Sequence, residues 1–561
     1  MPYLKAYYDR KMRIEAEPLP DNIPALLEAA AADMPERLAY HFIATNETAT
    51  YAELAEQVNK LANGLLSIGV RGGSHVALMM PNIPAWPITW LALARLGAVA
   101  VPINVRYTSR ELLFGLEDAE VDAFIVDAQY LDAVRGLTSL PERMRERVFV
   151  VGDDAAEYRP WSALWEGQPE RCTAPLPDLD TLMNIQYTSG TTGLPKGCLL
   201  SHRYWLTCAK SHADIDGLKY ENILASNPYF YMTPQWLTLM AFFQRATLFV
   251  ASHRSGSKTM EWIREHGIHF CLLNKIVYDQ PSSLEDASNE VKKVCIYGFP
   301  KSDQLDLEER FGFPAREAFG MTEIGAGLFV PLDASDMTGS GSAGIAGPFR
   351  ECRVADAEGN TVPANQTGEL LFRGPGMLQG YYRRLDANET GFHGDWFRTG
   401  DLARQDERGF VYIVGRIKDM VRLAGENIAA REVEEVLAKM PGIAEVAVVP
   451  VPDDLRGEEV KVHVRMRNGM EPIDPEALLA YCALHLAVFK IPRYVEFRAE
   501  EFPKSPSGKI RKGELQAEKP DQRSASWDRV LGRWLTPSDL APETGAVEEA
   551  IENGHSVRLR C

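Results

Sequence analysis

The chain is poor in cysteine, and none of its eight cysteines forms a Cys-x-x-Cys pair. Single, scattered cysteines do not suit a disulfide framework or a structural zinc site, and they are typical of a reducing compartment. We therefore expect a cytoplasmic protein with neither kind of crosslink.

Long apolar runs are also missing. The longest, from Trp86 to Val105, contains Arg95 and two prolines, so it predicts a buried helix and strand and not a membrane span. The charged N-terminal segment MPYLKAYYDRKMRIE has no apolar core of the kind found in signal peptides.

Positive charge is in deficit. Sixty Lys and Arg residues face 78 Asp and Glu residues, for a formal net charge of −18. This balance opposes non-specific binding to nucleic acid or to anionic membranes. We expect no nucleic-acid partner, and any anionic ligand needs a local cationic site.

Strand and helix patterns alternate through the first part of the chain. Thr50 to Glu53 fits a capping box, and helically spaced leucines and a valine follow it. This alternation predicts an α/β fold with largely parallel sheets. At 561 residues the chain is too long for one core, and a second α/β unit is expected from about Leu182 to Phe319.

The later part of the chain differs in composition and in its hydrophobic pattern. Residues 344–412 are rich in Gly and in short alternating runs, which predicts a small β-rich subdomain. From about residue 429 the pattern predicts a compact α+β domain. The tail carries apolar residues at helical spacing, which favours a helix docked on the body over a partner-binding helix. These residues are Trp527, Val530, Leu531, Trp534 and Leu535.

One segment, YTSGTTGLPKGCLLSH from Tyr187 to His202, indicates a ligand directly. A strand-like run enters it and an apolar segment leaves it, unlike a flexible linker. Glycines expose backbone N–H groups, and hydroxyls and a lysine add donors, so the segment predicts a polyphosphate cradle. It lacks the order of a Walker loop. The candidate binding residues are Thr188, Ser189, Gly190, Thr191, Thr192, Gly193 and Lys196.

Four shorter segments follow this loop. FGMTE, residues 319–323, combines an aromatic ring, a glycine, a hydroxyl and a carboxylate, which suit a base, a phosphate and Mg²⁺. RTGD presents Asp401 after a glycine turn, where a ribose diol can be bound. GRIKD, residues 415–419, has the character of a hinge. PSGKI brings Lys509 to a loop, where its charge can neutralise phosphate oxygens. Each segment alone is also compatible with an ordinary turn.

In order and spacing these segments resemble the adenylate-forming superfamily, which includes acyl-CoA synthetases, adenylation domains of peptide synthetases and firefly-type luciferases. The resemblance extends over some four-fifths of the chain. It implies a large N-terminal domain of two α/β subdomains and a small β-rich subdomain, joined to a mobile, smaller α+β C-terminal domain. The implied ranges are 1–416 for the N-terminal AMP-binding domain, 417–418 for the hinge, 419–515 for the C-terminal domain and 516–561 for an extension.

The resemblance also implies a two-step ligase reaction. A carboxylate attacks the α-phosphate of Mg·ATP and gives an acyl-adenylate and pyrophosphate, and the thiol of CoA then displaces AMP. ATP, Mg²⁺, CoA and a small-molecule carboxylic acid are therefore the implied cofactors and partners. The oligomeric state, a homodimer included, stays open.

By position, the resemblance assigns the nucleotide to named residues. The loop from Thr188 to Lys196 would close over the β- and γ-phosphates. Thr322 would bind the α-phosphate, and Glu323, with Thr188, would hold Mg²⁺. Phe319 would pack against adenine. The candidate residues of that segment are Phe319, Gly320 and Met321.

The remaining assignments lie towards the C-terminus. Asp401 would bind the ribose hydroxyls, with Arg416 nearby, and Lys418 occupies the hinge position. Lys509 would be the lysine of the adenylation step. Rotation of the C-terminal domain would then withdraw it and bring the Gly425 loop to the pantetheine tunnel.

Two positions depart from the family pattern. Tyr231 stands where many acyl-CoA synthetases have histidine and where amino-acid activators have aspartate, so an α-amino acid substrate is not expected. Phe299 replaces a small residue and would narrow the pocket. The candidate acyl-pocket residues are Tyr231, Met232, Trp236, Asn274, Phe299 and Met321. Their character favours an apolar or aromatic acid, with polar acids of the carnitine type still open.

An enzyme that loads an acid onto a carrier protein would share every one of these motifs. The identity of the thiol acceptor, CoA or a carrier, therefore stays open at this point. An adenylate-binding regulator is disfavoured because Glu323, Asp401 and Lys509 are all present.

Overall fold

The computed structural model describes residues 1–137, 140–152, 157–188, 195–423, 426–453, 456–504 and 509–540. These residues form two compact units. The first contains the described residues up to 399 together with 404–412, and the second contains 400–403 and the described residues from 413 onwards.

Two of the helices begin at a capping box. Thr50 accepts from the backbone of Glu53 and completes the predicted capping box, and Thr108 does the same with Glu111. In chain order the helices are α1 (Pro2–Ala16), α2 (Ile23–Asp33), α3 (Tyr51–Ser67), α4 (Ala85–Leu96), α5 (Ser109–Asp118), α6 (Leu131–Arg135), α7 (His202–Asp214), α8 (Met232–Gln244), α9 (Gly256–Glu265), α10 (Lys275–Tyr278), α11 (Gln304–Phe311), α12 (Leu385–Thr390), α13 (Ala430–Leu437), α14 (Pro475–His485) and α15 (Lys512–Ala517).

The strands are mostly short. In chain order they are β1 (Leu38–Phe42), β2 (Glu47–Thr50), β3 (His75–Met79), β4 (Val99–Pro102), β5 (Ala123–Asp127), β6 (Val148–Val151), β7 (Arg159–Pro160), β8 (Leu182–Thr188), β9 (Lys196–Ser201), β10 (Asn222–Ala225), β11 (Thr247–Val250), β12 (Phe270–Leu272), β13 (Lys293–Ile296), β14 (Ala315–Met321), β15 (Gly325–Phe329), β16 (Ile345–Ala346), β17 (Glu351–Ala355), β18 (Thr367–Arg373), β19 (Phe392–His393), β20 (Trp396–Gln405), β21 (Val411–Arg416), β22 (Met420–Leu423), β23 (Glu426–Ala429), β24 (Ile443–Asp453), β25 (Gly457–Met466), β26 (Tyr494–Arg498), β27 (Trp527–Asp528) and β28 (Arg533–Trp534).

The first sheet has the strand order β7-β6-β5-β3-β4-β8-β9. Its strands are parallel except for the last pair, β8 and β9. The strands and helices predicted between residues 75 and 126 are confirmed here. The stretch from Trp86 forms α4, all of whose residues are buried, and β4. In the described ranges, no helix combines the length and apolar character needed to cross a bilayer.

The second sheet has the order β16-β15-β14-β13-β12-β10-β11-β1-β2. The expected boundary at Leu182 is wrong, because β8 pairs with β4 of the first sheet, whereas β1 and β2 from the N-terminal part join the second. Tyr40 of β1 pairs with Leu248 of β11, some two hundred residues away in sequence. Local patterns identify a strand, but a distant segment decides its partner.

A third, smaller sheet has the order β17-β18-β20-β19, and β21 pairs with β20. It is the β-rich part that the short alternating runs of residues 344–412 predict. The second unit has its own sheet with the order β23-β22-β25-β26-β27-β28, and β24 pairs with β25. Helices α13 and α14 pack on this sheet around a shared apolar core, which confirms the α+β prediction.

The tail forms a β-hairpin, so the prediction of a helix there is wrong. Trp527 of β27 pairs with Trp534 of β28, and their ring centroids lie 6.0 Å apart. Asp528 accepts from the backbone N–H of Val530 and Gly532 has a positive φ, which together close the turn. Docking is confirmed, because β27 pairs with β26.

Three buried histidines make stability depend on pH. Burial lowers the pKa of His202 to about 4 and those of His212 and His463 to about 3. Between pH 6.5 and these values the unfolded chain binds protons that the folded chain excludes. Stability therefore falls as the pH falls through this window, by about 1.4 kcal/mol per pH unit and histidine.

His212 offers a clean test of this dependence. Its ring stacks on Trp236 with centroids 4.0 Å apart and contacts the edge of Phe329. We expect His212→Phe to keep the stacking but to lose one linked proton. Between pH 7 and pH 5, urea unfolding of the variant should show a loss of stability that is smaller than that of wild type by about 2 kcal/mol in total. An unchanged loss of stability would contradict this assignment.

Candidate active site

The predicted anion-binding segment is a β-hairpin. Strands β8 and β9 are antiparallel, and Thr188 pairs with Lys196 at the neck of the loop. The Thr188 hydroxyl donates to the Lys196 carbonyl at 3.3 Å. The loop candidates between them, Ser189, Gly190, Thr191, Thr192 and Gly193, lie outside the described residues.

The hairpin is held on its second side by residues 379–382. The Leu199 N–H donates to the Gly380 carbonyl at 2.9 Å, and the Tyr382 N–H donates to the Gly197 carbonyl at 2.8 Å. At Gly197 a Cβ atom would lie 2.5 Å from a methyl group of Ile185, so only glycine fits there. The neck of the loop is therefore fixed along both edges.

The side chains of Lys196 and Glu323 meet at Tyr381. The Lys196 ammonium lies 4.6 Å from the centroid of the Tyr381 ring, a cation–π contact. The Tyr381 hydroxyl donates to Glu323 Oε1 at 3.0 Å. Tyr381 and Glu323 are buried, with 5% and 8% of their surface exposed. The structure thus brings a predicted phosphate ligand and a predicted metal ligand to one aromatic side chain.

The FGMTE segment turns between β14 and β15. Gly320 is needed for this turn, because a Cβ atom there would lie 2.6 Å from the Gly325 carbonyl. Thr322 and Met321 are half-buried, and the Phe319 ring packs parallel to Phe372 with centroids 6.0 Å apart. Thr322 and Glu323 follow directly after β14 in this turn.

The donor set suits Mg²⁺. Glu323 offers carboxylate oxygens and Thr188 offers a hydroxyl oxygen, which is the ligand type that Mg²⁺ prefers. Among the described residues, no group of three or more His, Cys, Asp or Glu side chains could hold a metal ion.

The acyl-pocket candidates follow neighbouring strands of the second sheet. Strands β10, β12, β13 and β14 are adjacent and parallel. The candidates lie in the segments that follow these strands or at a carboxyl end, and open α/β sheets bind ligands at that edge. They are Tyr231, Met232 and Trp236 after β10, Asn274 after β12, Phe299 after β13 and Met321 at the end of β14.

The individual candidates differ in how far they are buried. Trp236 and Phe299 are buried, the first stacked on His212 and the second edge-on to Tyr278. Tyr231 is half-buried, and burial raises its pKa. Met232 accepts weakly from the Tyr204 hydroxyl at 3.9 Å, and Asn274 starts α10.

A buried amide network joins β8 to the Tyr231 segment. The Asn184 amide donates to Gln235 at 2.9 Å, and the Gln235 amide donates to Gln186 at 3.2 Å and to the Tyr231 carbonyl at 3.1 Å. The Gln186 amide donates to the Phe230 carbonyl at 2.8 Å. Fully bonded networks of this kind rigidify a core, so this one fixes the Tyr231 backbone against the strand that enters the phosphate loop.

In the second unit, Arg416 and Asp401 form an ion pair of 2.6 Å in which the carboxylate is buried. Burial lowers the pKa of Lys418, Asp419 opposes this, and the positive charges of Arg416 and Lys509 lower the pKa further. Lys509 is exposed. The Gly425 position lies outside the described residues.

Sequence patterns missed Tyr381 and the amide network. Two tyrosines and two arginines follow a glycine in GYYRR, residues 380–384, and this cluster of phenols and cations was a usable signal. Asn184, Gln186 and Gln235 carry no signal of their own, because isolated amides are common in any chain.

Comparison with known proteins agrees with this geometry. The family model described as AMP-binding enzyme matches residues 27–382, and the model for the AMP-binding enzyme C-terminal domain matches residues 432–509. A feruloyl-CoA synthase from Amycolatopsis sp is 32% identical over 477 residues, covering 83% of this chain and 93% of the relative. The crotonobetaine/carnitine–CoA ligase of Citrobacter koseri is 29% identical, with the same coverage.

Among solved structures, ATP-bound MatB from Rhodopseudomonas palustris superimposes with a TM-score of 0.80 at 26% identity. The match covers 90% of this chain and all of that one. The family models, the relatives and the fold agree with one another, and the chain therefore belongs to the AMP-binding enzyme family, in its acyl-CoA synthetase branch.

Proposed function

We propose that this acid–CoA ligase activates an apolar or aromatic carboxylic acid, fatty acids included, on Mg·ATP and passes the acyl group to CoA. One observation carries the proposal: a buried carboxylate, Glu323, and an ammonium, Lys196, are held by one tyrosine beside the neck of the phosphate loop. A cation for phosphate and a carboxylate for a metal are the pair that a metal–nucleotide substrate requires.

The first half-reaction forms a bond between a carboxylate oxygen of the acid and the α-phosphorus and breaks the bond to pyrophosphate. Thr322 would donate to the α-phosphate, and Lys196 and the loop after Thr188 would hold the leaving pyrophosphate. Bound Mg²⁺ would neutralise phosphate charge, held by Glu323 with Thr188. Positioning and charge neutralisation supply the catalysis, with no covalent bond to the protein.

The other assigned residues serve the nucleotide and the change between half-reactions. We assign the ribose to Asp401, whose ion pair with Arg416 supports an oriented carboxylate. Phe319, Gly320 and Met321 are assigned to adenine, and Lys418 to the hinge. The proposed domain ranges remain 1–416, 417–418, 419–515 and 516–561. The start of the continuous part of the second compact unit at residue 413 supports a boundary near residue 416.

The identity of the acid is inferred from the acyl-pocket candidates. One relative is a feruloyl-CoA synthase and another a crotonobetaine/carnitine–CoA ligase, so similar identity is compatible with different acids. Tyr231, Trp236 and Phe299 lie in segments that follow strands of one sheet, and aromatic side chains favour apolar and aromatic acids. Tyr231 offers no charge that would pair with an α-ammonium group.

A pyrophosphate-release screen over a panel of acids tests this proposal. We expect release with aliphatic or aromatic acids and at least tenfold less with α-amino acids at equal concentration, since an unpaired ammonium in the pocket is costly. With CoA present, acyl-CoA should form. Reactions without acid serve as the control. Release only with amino acids, or acyl transfer to a carrier protein but not to CoA, would contradict the proposal.

We propose a cytoplasmic location because the cysteines suit a reducing compartment. A homodimer is the further assembly to test, and light scattering of the purified protein measures it directly.

A further inference from the structure

Tyr381 contacts two charged side chains with two different parts of its ring system. Its face meets the Lys196 ammonium at 4.6 Å from the centroid, and its hydroxyl donates to Glu323 Oε1 at 3.0 Å. The ring face carries the negative end of the aromatic quadrupole and attracts the cation. The hydroxyl makes a charge-assisted hydrogen bond to the carboxylate. The length of one rigid side chain therefore sets the spacing of the two charges.

The backbone of Tyr381 is itself clamped. The Tyr381 N–H donates to the Asn388 side-chain oxygen at 2.6 Å, and the Asn388 amide donates back to the Tyr381 carbonyl at 3.0 Å. Tyr381 also forms a β-bridge with Cys198 of β9. Because its backbone is held in place before the substrate binds, Tyr381 loses little conformational entropy when its side chain orients Lys196 and Glu323.

We propose that Tyr381 is a positioning residue that orients the Glu323 carboxylate for Mg²⁺ and holds the Lys196 ammonium for the phosphates of ATP. The proposal rests on the function proposed above and adds a residue to which that function assigns no role. Partners that orient a metal ligand through a hydrogen bond typically change metal affinity by 10- to 100-fold when they are removed.

Tyr381→Phe separates the two contacts, because it keeps the ring under Lys196 and removes the hydroxyl from Glu323. We expect the Mg²⁺ concentration for half-maximal pyrophosphate release to rise about tenfold. Titration calorimetry with ATP and no acid gives a readout without turnover. The dissociation constant should rise several-fold at low Mg²⁺ and change less than about twofold at saturating Mg²⁺.

Tyr381→Leu removes both contacts. We expect the same shift in the Mg²⁺ midpoint and, in addition, about tenfold weaker ATP binding at saturating Mg²⁺, because Lys196 loses its ring. Tyr382→Phe is the matched control, since the neighbouring hydroxyl contacts exposed Glu120 at 2.6 Å. It should leave both quantities at wild-type values. Melting temperatures of all variants report any general loss of stability.

The possible outcomes distinguish a failure of the proposed Tyr381 role from a failure of the proposed ligase function. If Tyr381→Phe keeps the wild-type Mg²⁺ midpoint while Glu323→Gln shifts it, Tyr381 does not position the carboxylate and the inference fails. If Tyr381→Phe lowers only the melting temperature and the maximal rate, its role is structural and the inference fails equally. If wild-type protein releases no pyrophosphate with any acid, the proposed function fails. The calorimetric comparison of ATP binding by wild type and the Tyr381 variants still tests the role of Tyr381 in that case.

Discussion

We expect Lys509→Ala to lose acyl-adenylate formation from acid and ATP by about a hundredfold to a thousandfold, yet to convert supplied acyl-adenylate and CoA to the thioester at a rate near wild type. The reason is that charge develops on phosphate and carboxylate oxygens only in the first half-reaction. A preorganised cation aimed at such charge typically contributes a factor of about 10² to 10³ or more. Pyrophosphate release measures the first step, and thioester formation from synthetic adenylate measures the second.

The charges around Lys509 support this assignment. Burial lowers the pKa of half-buried Lys418, and the positive charges of Arg416 and Lys509 lower it further, against the opposing carboxylates of Asp419 and Asp401. Three cations therefore meet two carboxylates near the assigned hinge of the second unit. The Asp401 carboxylate, paired with Arg416, lies in the same cluster. A concentration of cations of this kind suits an anionic substrate.

A second lysine of the same segment provides the control. Lys504 pairs with Glu445 at 2.5 Å on the surface, and surface pairs contribute little to stability. Lys504→Ala should therefore retain both half-reactions. Loss of both half-reactions in Lys509→Ala, with a normal melting temperature, would overturn the division of labour between the two steps.

Local features of the fold were readable from the sequence because neighbouring residues determine them. The capping box at Thr50 needs only Glu53, and the buried face of α3 needs only its own apolar spacing. Strands β3 and β4 and helix α14 were readable for the same reason, because the apolar pattern of each lies entirely within that element.

Pairing between distant strands was not readable. Strand β8 has the same buried pattern whether it belongs to the first sheet or to the second, and only the pairing of its Asn184 with Ala100 of β4 decides this. The tail shows the same limit. The spacing of its apolar residues fits a helix, but the cross-strand pair of tryptophans and the pairing of β27 with β26 favour a hairpin.

The candidate site divides in the same way. The phosphate loop and Glu323 lie in segments whose composition indicates their chemistry. Tyr381 and Tyr382 are adjacent and alike in sequence, but their hydroxyls have different partners. One reaches Glu323 and the other Glu120, which only the fold can determine.

The tail hairpin is part of the polar interior of the second unit. The Lys461 ammonium, 1% exposed, pairs with Glu496 at 2.6 Å and donates to the tail carbonyls of Gln522 and Ser524. Lys519 pairs with the same Glu496 at 2.6 Å. Buried Asp528 accepts from Arg493 at 3.3 Å. Charges this deeply buried are tolerated only while their partners remain.

Ending the chain after Glu518 should therefore destabilise the second unit by about 3–5 kcal/mol, the usual cost of breaking a buried charged network. The loss of Trp527 from the apolar core adds to the effect. Urea unfolding and limited proteolysis of the full chain and the truncated chain measure it. A chain that ends after Leu540 is the matched control, because it keeps every one of these contacts. If both truncations unfold at the same urea concentration as the full chain, the hairpin is a surface appendage, and the polar contacts beneath it contribute nothing to stability.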